Sequence, residues 1–439
     1  MRARWLILRM GLFQLSFGLV SVLVLGVLNR VMFAEIGLPA TLIGFLLAMP
    51  SIVSPLRLWL GYMSDSRPIL GHRRLPYILT GMFLAVVGVL AGTLGALWIL
   101  RSAVLGLLVA VIAFLIYGMG KNAMATAFQA LIADVFDERQ RPQATAILKA
   151  AFISGIIGGS VVLGRLVDPY SPSRLVAVVA GTGVFAFVMS VLSCVGVEPT
   201  GQAVEAISQR VRQVPFGPTL RSTLLNPQVR LFFFFIGATL LATLSQDIFL
   251  EPYGATLFNM SVGQTARLNM YWGAGTLASL LLCGMWVVNR VGRKQVTAVG
   301  LVIVAAAFAG LILAGAAGEQ ALFIGLVFLL GVGSGISGSG ALTMMVDFTT
   351  PEQAGLLMGA WTIAHQLAEV LGNLLGGVLV DVVFSASGSY LAAFGTVFGL
   401  EITVAMVGLA LLPRVNLSRL LEAEPAAGVE PSRVPAGGS

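Results

Sequence analysis

Long apolar stretches recur along almost the whole chain, and charged residues, proline or glycine bound each of them. Each stretch holds about 20 residues or more, which is the length that an α-helix needs to cross a bilayer. The pattern predicts twelve transmembrane helices, over residues 8–30, 38–60, 76–99, 103–133, 144–167, 174–196, 229–251, 267–288, 295–316, 321–346, 353–380 and 389–412. The predicted fold class is therefore an all-α membrane protein.

The composition supports this assignment and excludes other classes of protein. Of the 439 residues, 57% are hydrophobic and 10% are charged, whereas a soluble globular protein has about 25% charged residues. This excludes a soluble enzyme, a disordered protein and a disulfide scaffold. The two cysteines, Cys194 and Cys283, lie in apolar runs and are expected to be packing residues. The net charge of +7 comes from basic residues spread over short loops, so we expect no nucleic acid partner.

The distribution of Lys and Arg predicts how the chain is oriented in the membrane. The N-terminus, the even-numbered loops and the tail hold 19 of the 26 basic residues, and the odd-numbered loops hold five. Basic residues are enriched in cytoplasmic loops, so both termini are predicted to be cytoplasmic. The N-terminus is basic and then apolar, like a signal peptide, but no small-residue cleavage site follows. We therefore expect a retained first helix.

The chain also contains an internal repeat, in which residues 117–168 match residues 330–381 at an offset of 213. The matched pairs are Gly118 and Gly331, Gly120 and Gly333, Asp134 and Asp347, Gly159 and Gly372, Gly164 and Gly377, and Asp168 and Asp381. The repeat predicts two six-helix halves, over residues 1–197 and 229–412. The linker between them, 198–228, is either an amphipathic helix on the inner leaflet or a solvated connection. The tail, 413–439, is rich in Pro, Gly, Ala and Glu and is predicted to be disordered.

A short loop motif follows the second predicted helix of each half. The first copy comprises Gly61, Asp65, Gly71, Arg73 and Arg74, and the second comprises Asn289, Arg290, Gly292, Arg293 and Lys294. The pattern resembles the cytoplasmic loop motif of the major facilitator superfamily. A carboxylate with two arginines could pair with neighbouring helix ends and form a conformational latch, or the basic residues could simply anchor the loop on the cytoplasmic side. In the second copy Asn289 replaces the acid, so its latch is expected to be weaker.

Three further stretches indicate one branch of that superfamily. They are GLFQLSFG at 11–18 leading to LGVLNRVM at 25–32, SD at 64–65 followed by LGHRRLPYI at 70–78, and QDIFLEPYG at 246–254. Together they resemble the PucC/LhaA family over roughly residues 9–412. The resemblance implies a role in assembling light-harvesting or photosystem complexes, with bacteriochlorophyll or chlorophyll bound non-covalently. It also implies antenna or photosystem polypeptides and pigment-synthesis enzymes as partners, and the cytoplasmic, intracytoplasmic or thylakoid membrane of a phototrophic bacterium as the location.

Ionisable residues inside predicted spans are candidates for a functional site, because a charge near the bilayer centre costs about 2.5–3.5 kcal/mol on insertion scales. The candidates are Lys121, Asp247, Glu251, His365, Glu369 and Glu401. His365 and Glu369 share a helix face at a spacing of four residues, and either bind a proton, ligate chlorophyll magnesium or satisfy each other. Glu401 is a third possible magnesium ligand, and it faces either lipid and a partner or the interior. Lys121 and Asp247 are a possible ion pair.

The sequence contains no nucleotide-binding loop, no Cys/His zinc set and no Ser-His-Asp arrangement, so we expect neither an enzyme nor a directly bound metal ion. The leading prediction is a membrane assembly factor that binds or delivers (bacterio)chlorophyll. The alternative is a proton-coupled secondary transporter of a small solute, which would use the same acids as proton carriers. A third possibility is a scaffold that binds antenna proteins without touching pigment.

Overall fold

The fold is known from a computed structural model, which describes residues 2–66, 69, 71–136, 140–198, 227–244, 246–347 and 354–415. Within these residues the chain forms helices and no β-strand beyond one isolated bridge between Ile69 and His72. The helices are α1 (Arg2–Val22), α2 (Ala40–Ile52), α3 (Leu56–Ser66), α4 (Leu75–Ile99), α5 (Ala103–Val135), α6 (Arg141–Val167), α7 (Pro172–Cys194), α8 (Pro227–Leu244), α9 (Gln246–Phe258), α10 (Val262–Leu282), α11 (Val288–Val291), α12 (Arg293–Ala317), α13 (Gln320–Asp347), α14 (Ala354–Ser387) and α15 (Tyr390–Leu411).

Every predicted span coincides with a helical segment, and the predicted fold class is confirmed. Nine helices of the described chain are long and apolar enough to cross a bilayer by themselves. The second predicted span is divided into two helices, α2 and α3, and the seventh is covered by α8 and α9, on either side of residue 245, which lies outside the described residues. Pro50 and Pro252 lie inside α2 and α9, where proline removes one backbone N–H donor and weakens the helix. The eighth predicted span corresponds to α10, which is not among the nine and contains the polar Gln264 and Asn269, which lower its hydropathy.

Wider helical turns extend two of the helices. After α1 the chain forms π-helical turns at Leu23–Leu28 and Val31–Glu35, and after α10 it forms one at Cys283–Val287. Such turns rotate the following side chains relative to a regular helix and occur often at functional sites. The first contains Gly26, and Asn29 and Arg30, which belong to the first family stretch, lie between the first and the second.

Two pairs of packed helices join the two predicted halves. Within the first half α4 packs on α5 and α1 on α6, and within the second α12 packs on α13. Between the halves, α6 packs on α10 and α2 packs on α14. We call the end of the bundle that carries residues 69–74 the motif end and the other end the opposite end. Apolar side chains such as Phe83, Leu105 and Leu313 are exposed on the outside, as lipid contact requires.

The division into halves, the linker and the tail remain predictions. Residues 199–226, which hold the proposed amphipathic helix, and residues 416–439, which make up nearly all of the tail, lie outside the described residues.

Candidate functional site

A cavity of about 430 Å³ lies between the two halves. This volume is within the range of pockets that bind small molecules. Residues from α1, α3, α5, α6, α9, α10 and α14 line it, so no single helix forms the site. The lining residues are Phe17, Ser21, Val22, Leu25, Arg57, Lys121, Asn122, Ala125, Gln129, Lys149, Phe152, Ile156, Ile248, Asn269, Trp272, His365, Gln366, Glu369 and Asn373.

An ion pair crosses this cavity from one half to the other. Lys121 on α5 and Glu369 on α14 approach to 3.6 Å between Nζ and Oε1. Their side chains are 25% and 16% exposed, so the pair is largely withdrawn from water. Lys121 therefore has Glu369 as its partner, whereas the sequence analysis paired it with Asp247, whose side chain lies outside the described residues. His365 lines the same cavity one helical turn from Glu369.

Two further cations line the cavity and were not among the sequence candidates. Arg57 donates from Nε to Thr126 Oγ1 at 3.2 Å, and Lys149 Nζ lies 4.9 Å from the centre of the Phe152 ring, a cation–π geometry. The 19 basic residues assigned above to the N-terminus, the even-numbered loops and the tail include Lys149, counted with the loop before the fifth predicted helix. However, Lys149 lies eight residues after Arg141, where α6 begins, which places it about 12 Å from the end of the helix.

The other two described candidates are buried away from the cavity lining. Glu251 is 2% exposed and accepts a hydrogen bond from Asn269 Nδ2 on α10. Glu401 is 3% exposed on α15, so of its two predicted orientations the structure has the inward one. Neither carboxylate is accessible to a ligand that approaches from the lipid.

At the opposite end, aspartates of one half bind helix N-termini of the other. Asp381 accepts hydrogen bonds from the backbone N–H groups of Ala40 and Thr41 at 2.9 and 2.7 Å. Asp168 accepts one from the hydroxyl of Ser261, the N-cap of α10, at 2.7 Å. The two aspartates are a matched pair of the internal repeat. A carboxylate at a helix N-terminus is favoured by the helix dipole and by the free N–H groups there.

Glycines allow the backbones to approach closely at the same two crossings. A Cβ on Gly164 would lie 2.9 Å from the carbonyl oxygen of Gly263, and one on Gly377 would lie 2.6 Å from that of Ala40. We use the name opposite-end seam for these contacts, which are formed by Ala40, Thr41, Gly164, Asp168, Ser261, Gly263, Gly377 and Asp381. The two aspartates of the seam, and its glycines Gly164 and Gly377, are matched pairs of the internal repeat, but the sequence alone indicates no role for them.

A charged cluster lies beside the seam. Arg30 forms an ion pair with Glu35 and donates to the carbonyl oxygen of Met260 at 3.1 Å. Burial, and to a smaller extent the Glu35 carboxylate, raises the pKa of the nearby Tyr170 phenol. The hydrogen bond from Arg30 to Met260 adds to the contacts that join the halves at this end.

Two of the family stretches contact each other across the halves. Asn29, in the first stretch, donates to the carbonyl oxygen of Ile248, in the third, at 2.7 Å. Tyr253 of the third stretch is fully buried, donates to the Leu311 carbonyl oxygen at 2.7 Å, and packs edge-on against Phe398. These stretches thus contribute to the interface between the halves and also to the cavity wall, which Leu25 and Ile248 line.

The first loop motif forms a compact cluster at the motif end. Gly71 has φ +77°, a left-handed conformation that favours glycine. The Arg74 guanidinium donates from Nε to Asp134 at 2.8 Å and from Nη1 to the Ser64 hydroxyl at 2.7 Å. The backbone N–H groups of Arg74 and Leu75 donate to Glu198, at 2.9 and 2.8 Å, so that this carboxylate caps α4. Gly61 lies in α3, and Arg73 is buried beside Arg74.

The described contacts of this loop lie within the first half and with Glu198, the first residue of the predicted linker, and the side chain of Asp65 is outside the described residues. In the second copy, Gly292 has φ +99° and joins α11, which carries Asn289 and Arg290, to α12, which begins at Arg293. Lys294 donates to the carbonyl oxygen of Val415. The side chain of Asn289 is not described. A latch function for either loop remains a prediction.

Comparison with known proteins places the chain among relatives that it matches over nearly its whole length. The family model described as "PUCC protein" matches residues 27–420. An "uncharacterized protein in puhA-bchM intergenic region" of Rhodobacter capsulatus is 31% identical over 96% of this chain and 91% of its own length. The "bacteriochlorophyll synthase 44.5 kDa chain" of Rhodobacter capsulatus is 29% identical over 94% of this chain and 96% of its own.

Among solved structures, a D-xylose-proton symporter superposes with a TM-score of 0.71 at 15% identity, covering 94% of this chain and 98% of its own. At this identity the likeness shows the fold alone. The fold is that of the major facilitator superfamily, as the loop motif and the internal repeat predict.

Proposed function

The chain belongs to the PUCC family, and from that premise we propose that it binds or delivers bacteriochlorophyll or chlorophyll while light-harvesting or photosystem complexes are assembled. It is a photosynthesis-related, multi-pass membrane protein of a family that occurs in phototrophic purple bacteria. The pigment is a non-covalently held cargo. Its proposed recipients are antenna or photosystem polypeptides, and its proposed donors are pigment-synthesis enzymes. We propose no chemical reaction for the protein.

The observation that carries this proposal is that one cavity combines an imidazole with an aromatic wall. His365 supplies a nitrogen of the kind that ligates the metal of a tetrapyrrole. Phe17, Phe152 and Trp272 supply flat apolar surfaces for the ring. Of the three magnesium ligands that the sequence suggests, Glu369 is held by Lys121 and Glu401 lies away from the lining. We therefore assign the ligand role to His365.

Purification of the protein from phototrophic membranes tests this assignment. We expect the absorption spectrum of the wild-type protein to contain bound pigment, and His365→Gln to lower the pigment-to-protein ratio about tenfold, the scale on which metal sites respond to changes around the metal. His72→Gln is the matched control, because the only other histidine lies in the loop before α4. A colourless wild-type protein that still co-purifies with antenna subunits would indicate a scaffold.

Deletion of the gene in its host supplies the second test. The proposal predicts a loss of one or more antenna or photosystem complexes from the membranes, measured as a pigment–protein inventory. Normal levels of all complexes would contradict it. The same inventory in the His365→Gln strain separates pigment handling from scaffolding, because only pigment handling requires the imidazole.

The Lys121–Glu369 pair supports a second candidate, a proton-coupled transporter of a small solute. The pair joins the two halves inside the cavity, where protonation of Glu369 would release Lys121 and favour a different arrangement of the halves. In this case the protein in sealed vesicles should move protons when solute is added, as a pH-sensitive dye reports. Glu369→Gln should abolish the signal, and Glu319→Gln, in the exposed loop between α12 and α13, should leave it unchanged. The absence of proton movement with any solute of a broad panel would count against this candidate.

A further inference from the structure

The cavity has more positive than negative charge. Three of its lining residues are cationic, Arg57, Lys121 and Lys149, and one, Glu369, is a carboxylate. Glu369 lies 3.6 Å from Lys121 and compensates it. Among the described residues, Arg57 and Lys149 have no carboxylate within ion-pair distance. The cavity lining thus has two more cations than carboxylates, and neither Arg57 nor Lys149 forms an ion pair among the described residues.

Both cations are positioned to bind a ligand. The Nε of Arg57 is engaged by Thr126, which orients the guanidinium and leaves its two terminal nitrogens for a bidentate contact. Lys149 is exposed to the cavity, and its ammonium lies over Phe152. Lys149 lies nearer the motif end than Phe152 on the same helix, so its ammonium group is on the motif-end side of that ring.

Another part of the lining is apolar and comprises Leu25, Ile156, Trp272 and Phe17. A ligand that matches both the cationic and the apolar lining has an apolar body and a negatively charged group. A neutral apolar ligand would leave Arg57 and Lys149 without a counter-charge from the ligand in a region of reduced dielectric, which costs free energy.

We propose that the cavity binds an amphipathic organic anion, whose carboxylate or phosphate is held by Arg57 and Lys149 and whose apolar body lies against the Phe152–Trp272 wall. The inference rests on the proposed function for its choice of cargo and narrows that cargo. Chlorophyll and bacteriochlorophyll have their carboxyl groups esterified and carry no anionic group for the two cations, so the ligand that these cations hold is a charged precursor. Within pigment handling, that anion is either a tetrapyrrole with a free carboxylate or the diphosphate of an isoprenoid alcohol.

Binding to the purified full-length protein, measured by equilibrium dialysis in detergent, tests the charge requirement. The first pair of probes is pheophorbide a and its methyl ester, which share one metal-free ring and differ by one charge. The second pair is geranylgeranyl diphosphate and geranylgeraniol. We expect the anion of at least one pair to bind about tenfold more tightly than its neutral partner, because a charge-assisted hydrogen bond contributes roughly one decade in affinity. The pair that shows the preference identifies the source of the anion.

Variants then locate the preference. Arg57→Gln and Lys149→Gln should each lower the affinity for the anion about five- to tenfold and leave the affinity for the neutral partner unchanged. Lys149→Arg should keep the preference, since it keeps the charge. Arg101→Gln removes an exposed arginine from the loop between α4 and α5 and is the matched control. Binding of the neutral partner reports that each variant is folded.

Equal affinities within both pairs of probes would overturn the inference, and so would variants that weaken anion and neutral partner alike. These failures differ from a failure of the proposed function. The pheophorbide probes contain no magnesium, so they do not depend on ligation by His365. Normal antenna levels after gene deletion would contradict the proposed function and leave an observed charge preference intact.

Discussion

At the scale of single residues, the Lys121–Glu369 pair is the contact whose removal has the most specific consequences. Each variant that deletes one partner leaves the other charge without compensation in a largely water-excluded site. We expect Lys121→Met or Glu369→Leu to lower the free energy of unfolding by about 2 kcal/mol, between the values for surface and buried pairs. The double variant should recover most of that loss, and thermal unfolding of purified protein measures it.

The control for this cycle is Asp247, the partner that the sequence analysis suggested. Asp247→Asn combined with Lys121→Met should give no recovery beyond the sum of the single effects, because residues that do not interact have additive effects on stability. Recovery with Asp247→Asn and none with Glu369→Leu would contradict the assigned pair.

The residues of the cavity also show what a single sequence can and cannot predict about a site. Lys121, His365 and Glu369 were recognisable because they are ionisable and lie deep in apolar runs. Lys149 was not recognised because it lies near a helix end, where Lys also serves as a cytoplasmic anchor. Whether such a residue lines the cavity depends on the rotation of α6 against its neighbours, which tertiary packing sets. The inward position of Glu401 has the same origin.

At the scale of helices, the opposite-end seam holds the halves together through two related caps. Replacing Asp168 or Asp381 by Asn removes the carboxylate charge from a helix N-terminus. Each change should lower the free energy of unfolding by about 1 kcal/mol. The two sites are related by the repeat and share no partner, so the double variant should show the sum of the two effects. Thermal unfolding of the three variants checks this, and an unchanged midpoint for all three would show that the carboxylate charge contributes nothing at these caps.

The glycines at the seam give a second prediction, which concerns backbone distance rather than charge. Gly377→Ala places a Cβ 2.6 Å from the Ala40 carbonyl oxygen, so α14 and α2 must separate. We expect a loss of stability of about 1–3 kcal/mol, as for other overpacked positions. Gly181→Ala in α7 is the control, since no atom lies within 4 Å of the added Cβ. That variant should be neutral or slightly stabilising because alanine favours the helix.

The boundaries of the helices were predictable from the apolar runs, and the interruptions were less so. The apolar stretch 38–60 was predicted as one helix although it contains Ser54, Pro55 and Arg57, and the break between α2 and α3 falls at residues 53–55. The loop motifs were predictable as motifs. The Arg74–Asp134 ion pair was not, because it joins residues 60 positions apart that only the packing of α4 on α5 brings together.

At the scale of the whole molecule, the distribution of basic residues predicts which end of the helix bundle faces the cytoplasm. Exposed residues at the two ends of the bundle allow this orientation to be tested. The 19 basic residues assigned to the cytoplasmic side include those of both loop motifs, so the motif end should face the cytoplasm. Gln140, just before α6, is exposed at that end, and Ser173, at the start of α7, is exposed at the other.

In a protein whose Cys194 and Cys283 are replaced by serine, a membrane-impermeant maleimide added to intact cells should label Ser173→Cys and not Gln140→Cys. Permeabilised cells should show labelling at both positions. The lining residues toward the motif end, among them Gln129 and Lys149, would then be on the side from which a newly synthesised cargo arrives. Labelling of Gln140→Cys in intact cells would reverse the orientation and require a ligand that enters from outside the cytoplasm.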